Sequence, residues 1–539
     1  MISLALVWLR AVGLVGQALA LGGAAFAFFV LLRARDRAPA RSLDWVLGLS
    51  AFGAILVAAA QAGALAATIA ALSDDAGWPT DALLGSTVGI AALIRIATGI
   101  GVALVALAVR HAPTSRTRGI VLLAAATMLC CTGAFWSHAA GHVDGRFWLL
   151  TLSAIHQVAA SGWIGGLVCA ALLMARSARD LEEDWLRPFS PLAAVAVAAL
   201  AVTGIALSFE WVASPASAIG TSYGAMVLTK IVLFIALLTM GAMNYLALRG
   251  HGARLSRRVP RIAGGSDDAL PARSLVLSRR VEVEAGLAIV TLFLAAAIGS
   301  APPAVDMADQ QATWKEVAHV MAPGWPRLHA PTIEELNATS GLGDPLAPRA
   351  PEETAWSEFG HNVCGLFVLA MGLLAMLERT GWAPWARHWP LLFIGLTTFL
   401  AGNLDPEGWQ TGRVGFWEHL FGSEVIQHRI LLGLTALFGI AEWRVRSGRN
   451  PNSRWRYAFP FVCIVAGTLL LSHPHAVSNA KTGFLMEVTH LPMGLVILAA
   501  GWARWLELRL APPENRLPGR LWAPALALLG LLLVFYREG

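Results

Sequence analysis

The stretch WLLTLSAIHQVAASGWIGGLVCAALLM (148–174) runs without a Lys, Arg, Asp or Glu. As a helix rising about 1.5 Å per residue it is long enough to cross a hydrocarbon core of roughly 30 Å. Its apolar residues do not alternate with a period of two, and a lipid slab leaves backbone polar groups no water to bond, so a helix is the structure it dictates. Similar apolar runs recur at 4–32, 44–72, 82–109, 119–140, 147–175, 189–211, 222–248, 281–300, 359–377, 388–402, 425–443, 457–472, 483–503 and 521–536. The expected fold is therefore all-α, a polytopic integral membrane helical bundle of about fourteen transmembrane helices. Composition agrees: 56% of residues are hydrophobic, 14% are charged, and the mean hydropathy is +0.61, values far from those of soluble domains.

Alternate connections carry the basic residues. Arg33, Arg35, Arg37 and Arg41 follow the first run, Arg110, Arg116 and Arg118 the third, and Arg176, Arg179 and Arg187 the fifth. Continued through 249–280, 378–389, 444–456 and 504–520, these seven loops hold 29 of the 40 Lys and Arg residues. The positive-inside rule turns them toward the cytoplasm, which puts both termini on the periplasmic side of a bacterial inner membrane. The formal charge of +6 is then a topological signal and implies no nucleic-acid partner. The first run lacks a basic segment before it, which marks a retained span rather than a cleaved signal. Cys130, Cys131, Cys169, Cys364 and Cys463 all fall within apolar runs, which argues against a disulfide framework.

Residues 301–356 are polar and proline-rich and separate two hydrophobic blocks. The expected organisation is an eight-helix domain over 1–303, a periplasmic linker over 304–356 and a six-helix, histidine-rich domain over 357–539.

On this topology, eleven of the fourteen histidines lie at or near the periplasmic face: His138, His142, His156, His319, His329, His361, His419, His428, His473, His475 and His490. Imidazole is a ligand for copper, zinc and haem iron, so the asymmetry points to a place where metal is met. In the fourth run Met128, Cys131, Phe135, His138 and His142 are spaced by three, four, three and four residues, one stripe on a continuous helix. The ninth run repeats the order from the other direction, with His361 outermost, then Cys364, then Met371. A gradient from nitrogen to soft sulfur favours Cu(I) or Cu(II) over zinc. Ordinary apolar filling by Met and Cys is the competing explanation. His156 stands within the fifth run with Trp163 two turns away, and a polar group at such depth is costly unless it serves a function or is well bonded. Arg95 and Lys230 are charges at similar depth. They pair with Glu210 or with carbonyls, or bind an anion.

Three motifs carry a family resemblance. They are His156-x6-Trp163-x-Gly165-Gly166, then Tyr223-Gly224-x5-Lys230 in a helix ending at Asn244, then Arg279-x-Val281-x-x-Glu284 before Pro302-Pro303. Residues 1–303 thereby resemble the copper-resistance protein D (CopD) family. The resemblance implies an inner-membrane copper-handling protein that moves periplasmic copper inward with a periplasmic copper-binding partner. It marks His156, Trp163, Tyr223, Lys230, Asn244 and Glu284 as family positions, with His156 the candidate ligand.

The second block has its own candidates. His419, Glu424 and His428 surround the start of one run, His473-Pro-His475 closes another, and Met486, Glu487, His490 and Met493 share a third. Glu487 and His490 have the Glu-x-x-His spacing of carboxylate-bridged metal sites in helical bundles. Asn403 and Asp405 stand where they would support such ligands. The chain has no phosphate-binding loop and no dinucleotide fingerprint, so no nucleotide partner is expected. The expected function is copper transport or resistance without enzymatic activity. One alternative is a b-type haem electron-transfer protein or cupric reductase, with pairs such as His428 and His490 as axial ligands. The other is copper delivery for cytochrome oxidase assembly.

Overall fold

The computed structural model describes residues 2–34, 41–73, 80–111, 113, 115–176, 183–248, 269–339, 350–403, 415, 417, 423–448, 453–472 and 479–538. The described residues are helical and contain no strand. Twelve of their helices are long and apolar enough to cross a membrane, and the protein is a multi-pass membrane protein. The apolar run at 388–402 forms a short helix, Leu392–Asn403, after a 3-10 segment, Pro384–Leu391. Pro384 and Pro390 account for the split, since proline removes a backbone donor and tightens the chain around it.

The chain divides into two compact units, one of Ile2–Ser214 with Met226–Asp306 and one built chiefly from Met307–Gly539 with Pro215–Ala225. The first unit contains α1 (Ile2–Phe26), α2 (Ser42–Leu72), α3 (Thr80–Leu84), α4 (Thr87–Arg110), α5 (Arg116–Thr132), α6 (Arg146–Arg176) and α7 (Phe189–Val212). After α8 (Pro215–Gly220) it takes most of α9 (Ser222–Leu248), and it closes with α10 (Ala269–Ile298). Helix α1 is central, packed against α2, α5, α6 and α10. Its small residues explain this. A Cβ on Gly165 of α6 would overlap the Ala18 carbonyl and lie 2.9 Å from Gly22 Cα, so the backbones touch, as small-residue faces allow in lipid.

The second unit contains α11 (Trp314–Met321), α12 (Ile333–Thr339), α13 (Pro351–Thr380), α14 (Leu392–Asn403), α15 (Ser423–Arg446), α16 (Ala458–Ser472), α17 (Ala480–Glu487), α18 (His490–Arg509) and α19 (Arg516–Val534). Helix α13 packs along α19, and α18 along both α16 and α19. Met371, Met493, Trp389, Phe459, Trp522 and Tyr536 belong to their shared core. Outside the long helices, α11 opens with a capping box in which Thr313 and Glu316 bond each other's backbone. Val317 and Val320 of α11 pack with Phe484 and Val488, and Lys481 pairs with Glu316 at 2.7 Å.

Lys481, followed by the Thr313 N–H and hydroxyl, holds the Glu316 carboxyl at about 2, below its ordinary 4.5. A carboxyl depressed on folding stabilises the fold above its unfolded value and loses that contribution as pH falls toward the folded value. The hydrogen-exchange protection factors of Trp314–Met321, corrected for intrinsic exchange at each pH, are expected to stay constant from neutral pH to about 4.5 and to fall between there and about 2. Glu316→Gln should show the lower protection already at neutral pH. The glycine contact gives a separate expectation. Gly165→Val overpacks the α1–α6 interface, which typically costs about 1–3 kcal/mol, and should lower the thermal midpoint of the detergent-purified protein.

Candidate metal centres

In the second unit two of the expected histidines meet. His361, three turns into α13, and His490, the first residue of α18, have ring centroids 5.7 Å apart. His361 Nδ1 lies 2.8 Å from the Ser357 carbonyl and His490 Nδ1 lies 2.6 Å from the Met486 carbonyl. Each carbonyl can only accept, so Nδ1 carries the proton in both rings and Nε2 carries the lone pair. This tautomer follows from the hydrogen bonds, and it is how proteins orient imidazole toward metal. Tyr536 stacks on His361 at 4.1 Å with its ring tilted by 25°, and its centroid lies 5.9 Å from that of His490.

Sequence reasoning missed Tyr536, and also the residue that places it. The buried Asn362 donates to the Leu533 and Tyr536 carbonyls, both at 3.1 Å, and accepts from the Arg327 N–H at 2.7 Å. The signal available was an Asn adjacent to His361 inside an apolar run, since a buried amide in lipid must find partners. Met371 and Met493 are buried in the core of the second unit, against which Cys364 packs.

Glu487 ends α17 and His490 opens α18, and the two residues between them, Val488 and Thr489, keep right-handed helical dihedrals, so the chain stays helical from one to the other. The Glu487 carboxylate accepts from the Ser222 hydroxyl at 2.8 Å. The side-chain amide of Asn403 lies against Gly360, the residue before His361, and the Asn403 backbone carbonyl accepts from Trp356 Nε1 at 3.0 Å. Asp405, His419, His473 and His475 lie outside the described residues, as do the side chains of Glu424 and His428. Among the described residues no three His, Cys, Asp or Glu side chains converge on one point.

In the first unit His156 of α6 bonds Thr203 of α7. Its Nδ1 is 2.9 Å from Thr203 Oγ1, and that hydroxyl donates to the Ala199 carbonyl at 2.6 Å. The hydroxyl proton being committed, Nδ1–H is the donor and Nε2 again keeps the lone pair. Trp163 is buried edge-to-face against Phe234 of α9, 6.1 Å between centroids. His138 and His142 flank Trp211, with centroids 5.9 and 4.9 Å from its ring. Burial, with a smaller push from Arg10, holds His138 below the ordinary imidazole value despite the Ile298 carbonyl and Asp306. His138 is thus neutral at pH 7, the form that binds metal.

The single stripe from Met128 to His142 requires correction. Helix α5 ends at Thr132, Gly133–Trp136 is a 3-10 turn, and a second 3-10 turn covers His138–Ala140. A 3-10 turn has three residues rather than 3.6, so the register rotates between the sulfur and imidazole positions. Met128 and Phe135 face outward, 63% and 54% exposed. Cys131 is partly exposed, and the fully buried thiol is that of its neighbour Cys130.

Arg95 does not pair with Glu210. Its Nη2 donates to Gln17 Oε1 at 2.7 Å, and its Nη1 donates to the Leu129 carbonyl at 3.3 Å and to Thr132 Oγ1 at 3.2 Å. Gln17 in turn donates to Gln157 and Ser161 of α6 at 3.3 and 3.2 Å. A Cβ at Gly133 would overlap Gln157 Oε1 and lie 2.9 Å from Arg95 Nη1, so the glycine leaves room for this network.

His156 of α6 is half-buried and bonded to α7, and the helices that follow it, α7 to α10, have a counterpart among known proteins. Residues 183–298 match the family model described as copper resistance protein D, CopD. Over 221 residues the chain is 27% identical to the copper transport protein CutJ of Bacillus subtilis (strain 168), an alignment covering 40% of this chain and 37% of that protein. The chain thus aligns with well under two thirds of that relative's length. No solved structure matches it. The CopD match covers Thr203, the partner of His156, together with Asn244 and Glu284.

The tautomers are directly measurable. Imidazole 15N spectra of histidine-labelled protein at neutral pH are expected to show His156, His361 and His490 protonated at Nδ1. Thr203→Val should change the signal of His156 alone.

Proposed function

We propose that this protein is a copper transport or resistance protein of the bacterial inner membrane, taking copper as its cargo. Its histidine-rich helix ends and both termini face the periplasm. The CopD match over 183–298 and the likeness to a copper transport protein support the copper reading. The observation that carries it furthest is the pair of Nδ1-anchored imidazoles, His361 and His490, on the two helices that also carry Cys364, Met371 and Met493. Imidazole accepts both copper oxidation states and thioether or thiol selects Cu(I), so the order suits capture on nitrogen followed by passage toward sulfur.

On this reading residues 1–303 form the transport domain, with His156 as its ligand and His138 and His142 at its mouth. Residues 357–539 add an acquisition site, and 304–356 connect the two. A periplasmic copper-binding protein supplies the cargo, and the lipid bilayer is the remaining partner. Glu487, His428, His473 and His475 are further donors for the acquisition site, with Asn403 and Asp405 supporting it and Trp163 supporting His156. Cys131 and Met128 are assigned a smaller part, since Met128 faces outward.

Metal analysis with an absorption spectrum of the purified full-length protein tests this. Bound copper without a Soret band is expected, with copper lost from His361→Ala and His490→Ala. In cells, His156→Ala and His138→Ala should lower copper accumulation at unchanged protein level. A Soret band would make the second unit a b-type haem site, and full copper retention in all four variants would remove these histidines from the pathway.

A further inference from the structure

Another buried polar group of the first unit joins α9 and α10. Glu284 of α10 is 4% exposed, and its Oε2 accepts one hydrogen bond, from Asn244 Nδ2 of α9 at 2.7 Å. Asn244 is 6% exposed, and its Oδ1 is buried with no hydrogen-bond partner. Gly241, one turn before Asn244, makes room for the carboxyl: a Cβ there would lie 3.2 Å from Glu284 Oε1. Three residues on two helices thus build a small polar chamber in an apolar span.

Among the described residues no charged side chain pairs with Glu284. On α10 itself Arg279 pairs with Glu282 at 2.9 Å, and Arg280, one turn before Glu284, makes no ion pair with it. On α1, Arg10 bonds the Gly299 and Trp136 carbonyls, at the far end of α10 from Glu284. On α6, Arg176 lies over the Trp45 ring at 4.2 Å and His156 bonds Thr203. Lys230 of α9 is fourteen residues from Asn244, about 21 Å along the helix. An ionised carboxylate held by one amide N–H in this setting is strongly disfavoured.

The unpaired acceptor decides what the chamber takes. A carboxylic acid and a primary amide form a two-bond ring in which N–H meets C=O and O–H meets the amide oxygen. The first bond is present, and Asn244 Oδ1 is the vacant half of the second. We propose that Glu284, with Asn244, is a proton-binding site of the transport domain, and that its loading and release couple copper movement to the proton gradient. In the loading step a proton from water bonds to Oε1 and its O–H turns to Asn244 Oδ1. In the release step that O–H bond breaks and the proton returns to water, with no change of oxidation state. The coupling rests on the copper reading, and the proton site does not.

Infrared difference spectroscopy of the full protein in liposomes tests the site without copper. A carboxylic-acid carbonyl band is expected at neutral pH. It should be absent from Glu284→Gln, which keeps the amide pairing, and shifted to higher frequency in Asn244→Ala, whose acid carbonyl loses its donor. A wild-type spectrum at neutral pH with no band removed by Glu284→Gln overturns the proposal. In the same liposomes, copper flux should respond to an imposed pH gradient in the wild type and lose that response in Glu284→Gln. An unchanged response in Glu284→Gln overturns the coupling. Absence of any wild-type copper flux beside an intact acid band would refute copper as the cargo and leave the proton site standing.

Discussion

The Arg95 guanidinium buried among neutral partners is the constraint around which the first unit is arranged. A charge inside an apolar slab is tolerated only if its donors are satisfied, and here that requires Gln17 from α1 and Thr132 and the Leu129 carbonyl from α5. Gln17 extends the network to Gln157 and Ser161 of α6. Four helices are therefore tied at one depth by hydrogen bonds whose loss would leave buried polar groups unpaired, a heavier penalty than the bonds' net contribution. The end of α5 follows from the same network. Gly133 stands where any side chain would strike Gln157 and Arg95, and from it the chain continues as 3-10 turns that bring His138 and His142 to Trp211.

The second unit uses arginine in another way. Arg446 ion-pairs with Glu378 and Glu442, both at 2.7 Å, and lies over the Trp389 and Trp522 rings at 4.8 and 5.2 Å. Arg504 lies over the same Trp522 at 5.3 Å. Guanidinium is weakly hydrated and planar, so it stacks on aromatic faces while its edge bonds carboxylates. Glu378 and His361 stand seventeen residues apart on α13, about 26 Å. One end of the unit is thus closed by paired charge and tryptophan, and the other carries imidazole, phenol and sulfur.

A common device sets the imidazoles. His361 and His490 each bond the carbonyl four residues earlier, and His156 bonds a threonine already committed to a carbonyl. A helix thereby fixes both the tautomer and the ring direction from its own backbone or from its neighbour. The proton stays on Nδ1, so the ring is oriented before any ligand arrives.

Length and hydropathy alone determined that this chain is a bundle of membrane-crossing helices, because the bilayer imposes a minimum apolar length and forbids unpaired backbone. The resemblance to the CopD family singled out Asn244 and Glu284, depth in an apolar run brought out His156, and spacing gave the order of His361, Cys364 and Met371. What sequence could not supply was which helix faces which. The pairing of His361 with His490, the stacking of Tyr536 placed by Asn362, and the partners of Arg95 join residues far apart in the chain. Local spacing also assumed that helices continue, and it failed where they stop. The stripe from Met128 to His142 gives way after Thr132 to two 3-10 turns. Periodicity records which face of a helix is apolar, whereas hydrogen bonds and steric contacts from other helices decide where it ends and what its polar residues meet.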